Sequence, residues 1–158
     1  MKALFRIQGG RWSAVVRKVE RGTFGDPELD LQVKIFCGRV QIMCFGFCPE
    51  QKRTAETSSN PTVLHYVDLF EFRLSDVDLQ DLLYLMSATD SLCQCLHDGG
   101  TVQRLCARHG LRPVRKRKLR QRPGRPSALM IQAEGSAFIL PPQLVCEAKA
   151  KLRGGLYR

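Results

Sequence analysis

Alternation of apolar and polar residues predicts several strands in the first half of the chain. An apolar residue at every second position is typical of a strand with one buried face. The predicted strands are residues 3–8, 11–19, 29–36, 39–47 and 62–73. For the third and fourth strands we predict a hairpin with a turn at Cys37-Gly38, which pairs Ile35 with Val40 and places both apolar sets on one face.

Two helices are predicted after these strands. Ser75 is a suitable N-cap, and Asp78 three residues later completes a pattern like the capping box. Helical spacing of apolar residues then continues to about Leu96, before Gly99-Gly100. A shorter helix is predicted over residues 101–109.

A second hairpin is predicted over residues 127–140, followed by an amphipathic helix after Pro141-Pro142. These elements predict an α+β fold, in which an antiparallel sheet of about five strands packs on a long helix and is followed by a basic C-terminal α/β extension. The expected organisation is a sheet-plus-helix core at 1–98, a short helix with a basic segment at 99–126, and a hairpin with a helix at 127–158. We expect the last part to pack on the same single domain.

Composition narrows the class of protein. The chain has 158 residues, of which 44% are hydrophobic, so it can bury a core and is not a disordered tail. No apolar run approaches the ~20 residues that cross a bilayer, so no membrane partner is expected. The first residues lack a secretory signal, and seven cysteines then favour a reducing compartment. We expect an intracellular protein, in the nucleus if the source is eukaryotic or viral and otherwise in the cytoplasm.

The net charge of +10 is concentrated in one segment. Residues 99–133 contain no Asp or Glu but ten cations, and the rest of the chain is neutral, with 15 basic and 15 acidic residues. The ten cations are Arg104, Arg108, Arg112, Arg115, Lys116, Arg117, Lys118, Arg120, Arg122 and Arg125. Clustered guanidinium groups bind phosphates through bidentate contacts and counterion release. We therefore predict a small nucleic-acid-binding regulatory or accessory protein, with DNA or RNA as its partner through segment 104–125. A homodimer is a further partner that this prediction allows.

Two other functions compete with this prediction. The run Arg115-Lys116-Arg117-Lys118 is sufficient for a nuclear localisation signal, so the chain could be a protein-interaction adaptor. The acidic residues of 26–30 with Lys34 resemble the strands of metal-dependent nucleases, although Gln32 occupies the place of an acid. Because no other catalytic motif is present, we expect no enzymatic activity and assign no catalytic residue.

Two short stretches are similar to known DNA-binding motifs. Six positions have the spacing of the first helix and turn of a helix-turn-helix motif, namely Val102, Leu105, Ala107, Gly110, Leu111 and Val114. That resemblance implies a basic recognition helix beginning near Pro113. The Gly-Arg-Pro core at 124–126 is similar to AT-hook peptides, which implies an extended arm in the minor groove, although Pro123 stands where that motif usually has Arg. The alternative to the helix-turn-helix motif is an ordinary amphipathic helix followed by a basic loop.

Cysteines and histidines cluster just before the basic segment. The candidate zinc ligands are Cys93, Cys95, Cys106 and His109, with His97 between them. Four such side chains can hold zinc tetrahedrally, but their spacing matches no common zinc finger. Because Cys93 also continues the apolar stripe of the long helix, we expect buried cysteines and no cofactor, with zinc as the alternative.

Aromatic and basic residues alternate along the predicted strands. The aromatic residues are Trp12, Phe36, Phe45, Phe47, Tyr66 and Phe72, and the cations among them include Arg6, Arg17 and Lys34. Exposed aromatics on such a sheet can stack on single-stranded bases, although aromatics on strands more often belong to the core.

Overall fold

The computed structural model describes residues 2–25, 27–49, 74–115 and 127–141. In these ranges it contains seven strands and two helices. They are β1 (Phe5–Gly9), β2 (Trp12–Lys18), β3 (Leu31–Cys37), β4 (Val40–Gly46), α1 (Asp76–His97), α2 (Val102–Arg108), β5 (Pro113–Val114), β6 (Leu129–Ala133) and β7 (Ser136–Leu140). The strand predicted at 62–73 and the helix predicted after Pro141-Pro142 lie outside the described residues.

The seven strands form one open antiparallel sheet in the order β4-β3-β2-β1-β6-β7-β5. The predicted fold, about five strands on a long helix with a basic C-terminal extension, is therefore wrong. The hairpin β6–β7 was placed in that extension, but β6 pairs directly with β1, for example Phe5 with Ala133. A local pattern identifies a strand but not its partner, and the backbone of β1 pairs along both edges, with β2 and with β6.

The hydrophobic core lies on one face of this sheet. Facing residues such as Ile7, Ala14, Val33 and Ile131 are 0–3% exposed. Helix α1 packs over β1 and β2 on this side. Trp12 is fully buried there, and its Nε1 donates a hydrogen bond of 2.8 Å to the carbonyl oxygen of Asp78 in α1.

The β3–β4 hairpin forms, but the predicted register is wrong. Cys37 pairs with Val40, and Ile35 pairs with Met43 rather than with Val40. Gly38 has a φ of +59°, so the turn begins one residue later than expected. Between Phe36 and Ile35 a β-bulge shifts the register by one further residue. Met43 therefore pairs with Ile35 and lies on the core side.

Both helices begin and end where the sequence predicts. Ser75 and Asp78 form a capping box in which the Ser75 hydroxyl accepts from the Asp78 N–H at 3.2 Å. The cap of α1 at its C-terminal end is Asp98, followed by Gly99 with a φ of +84°. Neither helix in the described ranges is long and apolar enough to cross a membrane.

The chain after α2 corrects the helix-turn-helix expectation. Pro113 and Val114 form strand β5, which pairs with Phe138 and Ala137 of β7. The recognition helix implied near Pro113 therefore does not begin there. Gly110 ends the helical turn with a φ of +71°, and a proline suits the outermost strand of a sheet because it lacks a backbone donor.

Candidate nucleic-acid interface

The described part of the basic segment is exposed. Arg104 and Arg108 lie four residues apart on α2 and therefore share one side of the helix. Arg112 precedes β5 and Arg115 follows it, and all four arginines are exposed. None of the four has an ion pair with another described residue. The other six predicted contacts lie outside the described residues, namely Lys116, Arg117, Lys118, Arg120, Arg122 and Arg125, and so does the AT-hook-like stretch.

Contacts of α2 fix the direction of its arginines. Val102 and Cys106 are buried on the underside of the helix. The amide of Gln103 donates a hydrogen bond of 2.7 Å to Glu134 in the β6–β7 turn. These contacts hold α2 against the sheet, so Arg104 and Arg108 face away from the core.

Both flanks of residues 116–126 are attached to the body of the protein. On one side, β5 pairs with β7 immediately before Arg115. On the other side, Ser127 donates two hydrogen bonds to the carboxylate of Asp81 in α1, from its N–H at 3.0 Å and from its hydroxyl at 3.2 Å. The basic run therefore connects two fixed points.

Asp81 was not recognised from the sequence, although an acid within the apolar stripe of a helix was a possible signal. Asp81 is only 3% exposed. Burial raises the pKa of its carboxyl group, and the hydrogen bonds from Ser127 partly oppose that shift. Gly10 in the β1–β2 turn packs closely on the same carboxylate, since a Cβ there would lie 2.5 Å from Oδ2. The role of Asp81 is to position Ser127.

A groove of about 510 Å³ lies beside Arg115, and we call it the edge groove. It is formed by the beginning of β1, the end of β5 and the β6–β7 turn. Its charged lining residues are Lys2, Arg6, Arg115 and Glu134. Three cations face one carboxylate that already accepts from Gln103, so the groove is suited to an anion.

The side of the sheet opposite α1, here called the outer face, contains two continuous rows of side chains. The first row crosses all seven strands through Cys44, Lys34, Val15, Arg6, Gln132, Ala137 and Val114. The second contains Gln41, Phe36, Ser13, Gln8, Met130 and Ile139. Neither row contains an acidic residue.

A second cavity, of about 230 Å³, lies between these two rows at the centre of the outer face. Its apolar lining residues are Val15 and the buried Met130, and its polar lining residues are Gln8, Ser13 and Gln132, together with Arg6. Arg6 lines both this outer-face cavity and the edge groove. The two depressions are therefore neighbours that share one guanidinium group.

The candidate stacking aromatics lie mostly on the other side of the sheet. Trp12 and Phe47 are buried, and Phe45 packs against the core. Among the described members of that set, Phe36 alone lies on the outer face, where it is half-buried. Of the four described members of the set, one side chain is thus left for a stacking surface, because the other three face the core. Tyr66 and Phe72 lie outside the described residues.

The candidate zinc ligands do not converge. Cys93 and Cys106 are buried, Cys95 donates a hydrogen bond of 3.6 Å to the carbonyl of Thr101, and His109 is exposed. No group of three or more His, Cys, Asp or Glu residues in the described part of the chain is placed to hold a metal ion. Burial, and secondarily the neighbouring Cys95, raises the pKa of Cys106 to about 11. That thiol is protonated at neutral pH, so it is a poor metal ligand without rearrangement.

Three residues of the nuclease alternative lie in the described part of the chain. Glu28 is exposed and Asp30 is half-buried in the loop before β3, whereas Lys34 lies on the outer face of β3. Asp26 lies outside the described residues.

No protein-family model matches this sequence, and comparisons with curated proteins and with solved structures give no match either. A functional assignment therefore depends on the chemistry of the chain itself.

Proposed function

We propose that this protein binds nucleic acid through the basic segment 104–125. The observation that carries the proposal is the concentration of ten cations in a stretch of 35 residues, 99–133, without a carboxylate. Such a segment repels itself and attracts polyanions. The four arginines of this set that the structure describes are exposed and unpaired with described acids, so their charge is available to a ligand.

The attachment of both flanks favours binding over a purely solvated tail. Pairing of β5 with β7 and the contact of Ser127 with Asp81 restrict where the segment begins and ends. A restricted segment loses less conformational entropy on binding than a free one. The affinity gained per phosphate contact is correspondingly larger.

Salt dependence is the measurement that counts the phosphate contacts required by this proposal. If about six of these cations contact phosphates, the slope of log K against log salt is about −5 on duplex DNA and about −4 on a single strand. We expect fluorescence anisotropy with labelled oligonucleotides at several salt concentrations to give such a slope.

A charge-matched pair of variants tests which cations are responsible. In the first variant, Lys116, Arg117 and Lys118 are replaced by Gln; in the control, three exposed cations outside the segment are replaced by Gln, namely Lys18, Arg21 and Arg39. The first variant is expected to bind at least about tenfold more weakly and to flatten the slope by about 2 to 3. The control keeps most of the affinity, because its cations lie outside the segment.

Equal binding by the two variants overturns the proposal. In that case the segment does not contact nucleic acid, and the adaptor hypothesis takes its place. Nuclear accumulation of a fluorescent fusion that is lost in the first variant and kept in the control then identifies a transport signal.

A further inference from the structure

We infer that the nucleic acid is single-stranded and that it continues from the basic segment across the outer face of the sheet, with Arg6 at the centre of the site. This inference rests on the proposed function and assigns it a substrate class and a second binding surface.

Charge complementarity is the first observation. The row that crosses all seven strands contains Lys34 on β3 and Arg6 on β1, and Arg115 directly follows its last member, Val114. Neighbouring strands lie ~4.8 Å apart, so Lys34 and Arg6 are separated by about 10 Å, and Arg6 and β5 by about 14 Å. These cations therefore mark a path across the strands, and the two rows of the outer face contain no acid to repel a phosphate.

The shape of the outer-face cavity is the second observation. Its volume of about 230 Å³ is smaller than the ~300–1,000 Å³ of pockets for drug-sized ligands, which suits one nucleobase. Half-buried Val15 offers apolar surface to a ring above Met130, which is itself only 4% exposed. Gln8 and Ser13 offer hydrogen bonds to the edge of the ring, and so does the side-chain oxygen of Gln132, whose amide donates to the Met130 sulfur at 3.2 Å. Bases in a duplex are stacked inside the helix, whereas bases of a single strand turn outward into such cavities.

Continuity is the third observation. Arg6 lines the outer-face cavity and the edge groove, and Arg115 lines the edge groove and begins the densest part of the basic segment. One phosphate backbone can therefore follow the edge groove from Arg115 to Arg6 while an adjacent base enters the cavity. Single-strand binding proteins combine a basic groove and base contacts in this way.

Two variants test the surface. In one, Arg6 and Lys34 are both replaced by Gln, and the charge-matched control replaces the exposed residues Arg21 and Arg39 by Gln. In the other, Gln8→Glu places a negative charge of nearly the same shape in the outer-face cavity, with Arg21→Gln as the control of equal charge change. The altered outer-face residues lie outside the core, and thermal unfolding by circular dichroism checks that each variant folds.

The ligands are 15-nucleotide labelled oligonucleotides of mixed sequence as single-stranded RNA, single-stranded DNA and duplex DNA, measured by anisotropy at two salt concentrations. We expect the unaltered protein to bind one or both single strands at least about tenfold more tightly than the duplex. The Arg6/Lys34 variant is expected to bind single strands about tenfold more weakly and to flatten the slope of log K against log salt by about 1.4. The Gln8→Glu variant is expected to bind single strands several-fold more weakly. The controls keep single-strand affinity.

Two results overturn the inference and leave the proposed function intact. One is equal or tighter binding of the duplex. The other is single-strand binding by the outer-face variants that equals that of their controls, while replacement of Lys116, Arg117 and Lys118 still weakens binding at least about tenfold. No binding of any oligonucleotide by the unaltered protein contradicts the proposed function itself.

Discussion

The buried carboxylate of Asp81 makes the stability of this protein depend on pH in a direction that can be stated in advance. Burial raises its pKa above the ordinary value of 3.8, against the opposing effect of the hydrogen bonds from Ser127. The folded protein therefore binds this proton more tightly than the unfolded chain does. The resulting contribution to stability is fully present below pH 3.8 and is lost as the pH rises through the folded pKa.

Two substitutions separate the charge from the hydrogen bonds. Asp81→Asn keeps an oxygen that accepts from the Ser127 N–H and an amide that donates to its hydroxyl, but it removes the buried charge. We expect its free energy of unfolding at pH 7 to equal that of the unaltered protein or to exceed it by up to about 1 kcal/mol. Asp81→Ala loses both hydrogen bonds, so it is expected to cost about 2 kcal/mol after relief of the buried charge, which lowers Tm by about 4–8 °C.

Thermal unfolding by circular dichroism between pH 4 and pH 8 measures both effects. The unaltered protein should lose stability relative to the Asp81→Asn variant as the pH rises. Ser127→Ala, introduced alone and together with Asp81→Ala, completes a double-mutant cycle in which the two changes are expected to be non-additive. A constant difference between the unaltered and Asn proteins at every pH refutes the raised pKa, and an Ala variant of unaltered stability refutes the importance of the hydrogen bonds.

Two further predictions concern the turns and the thiols. Gly10 and Gly38 have φ values of +60° and +59°, so replacement of either by Ala costs about 1–2 kcal/mol in urea unfolding. Only at Gly10 does the new Cβ meet Asp81, so we expect Gly10→Ala to cost at least about 1 kcal/mol more than Gly38→Ala, and equal costs contradict this. In native protein at pH 8, a thiol reagent should modify exposed Cys44 long before Cys106, whose pKa of about 11 leaves ~0.1% thiolate. Mass spectrometry identifies the modified thiol, and early modification of Cys106 would be inconsistent with its burial.

The sequence predicted those elements whose signals are local. The capping box of Ser75 and Asp78 is formed within one helical turn, and the glycine that follows α1 lies next to its last residues. The predicted β3–β4 register is wrong because the turn begins one residue later, at Gly38, and because the bulge between Ile35 and Phe36 shifts the pairs beyond it by one further residue. The partner of β1 could not be predicted, because apolar alternation around Ile131 does not specify which strand it meets.

The candidate site also has one part that the sequence predicts and one part that depends on the fold. The run of cations is visible in the sequence, since it needs no knowledge of the fold. The outer-face cavity was not predictable, because Gln8, Ser13 and Gln132 become neighbours only through the pairing of three strands from distant parts of the chain. Which aromatic residues face outward was not predictable for a related reason. The strand pattern shows that Trp12 and Phe36 alternate with polar residues, but not which side faces the helix.

The central place of β1 also has a consequence for biosynthesis. This strand is translated before the other six described strands, yet one of its edges pairs with β6, so Phe5 must wait for Ala133 to leave the ribosome. During that interval β1 to β4 can form a meander whose free edge belongs to a strand with buried apolar residues, an arrangement that invites pairing with another nascent chain. The closing step is a long-range contact and therefore a slow one. Chaperone protection of this unfinished sheet is consequently of greatest value after β4 has left the ribosome and before β6 has done so.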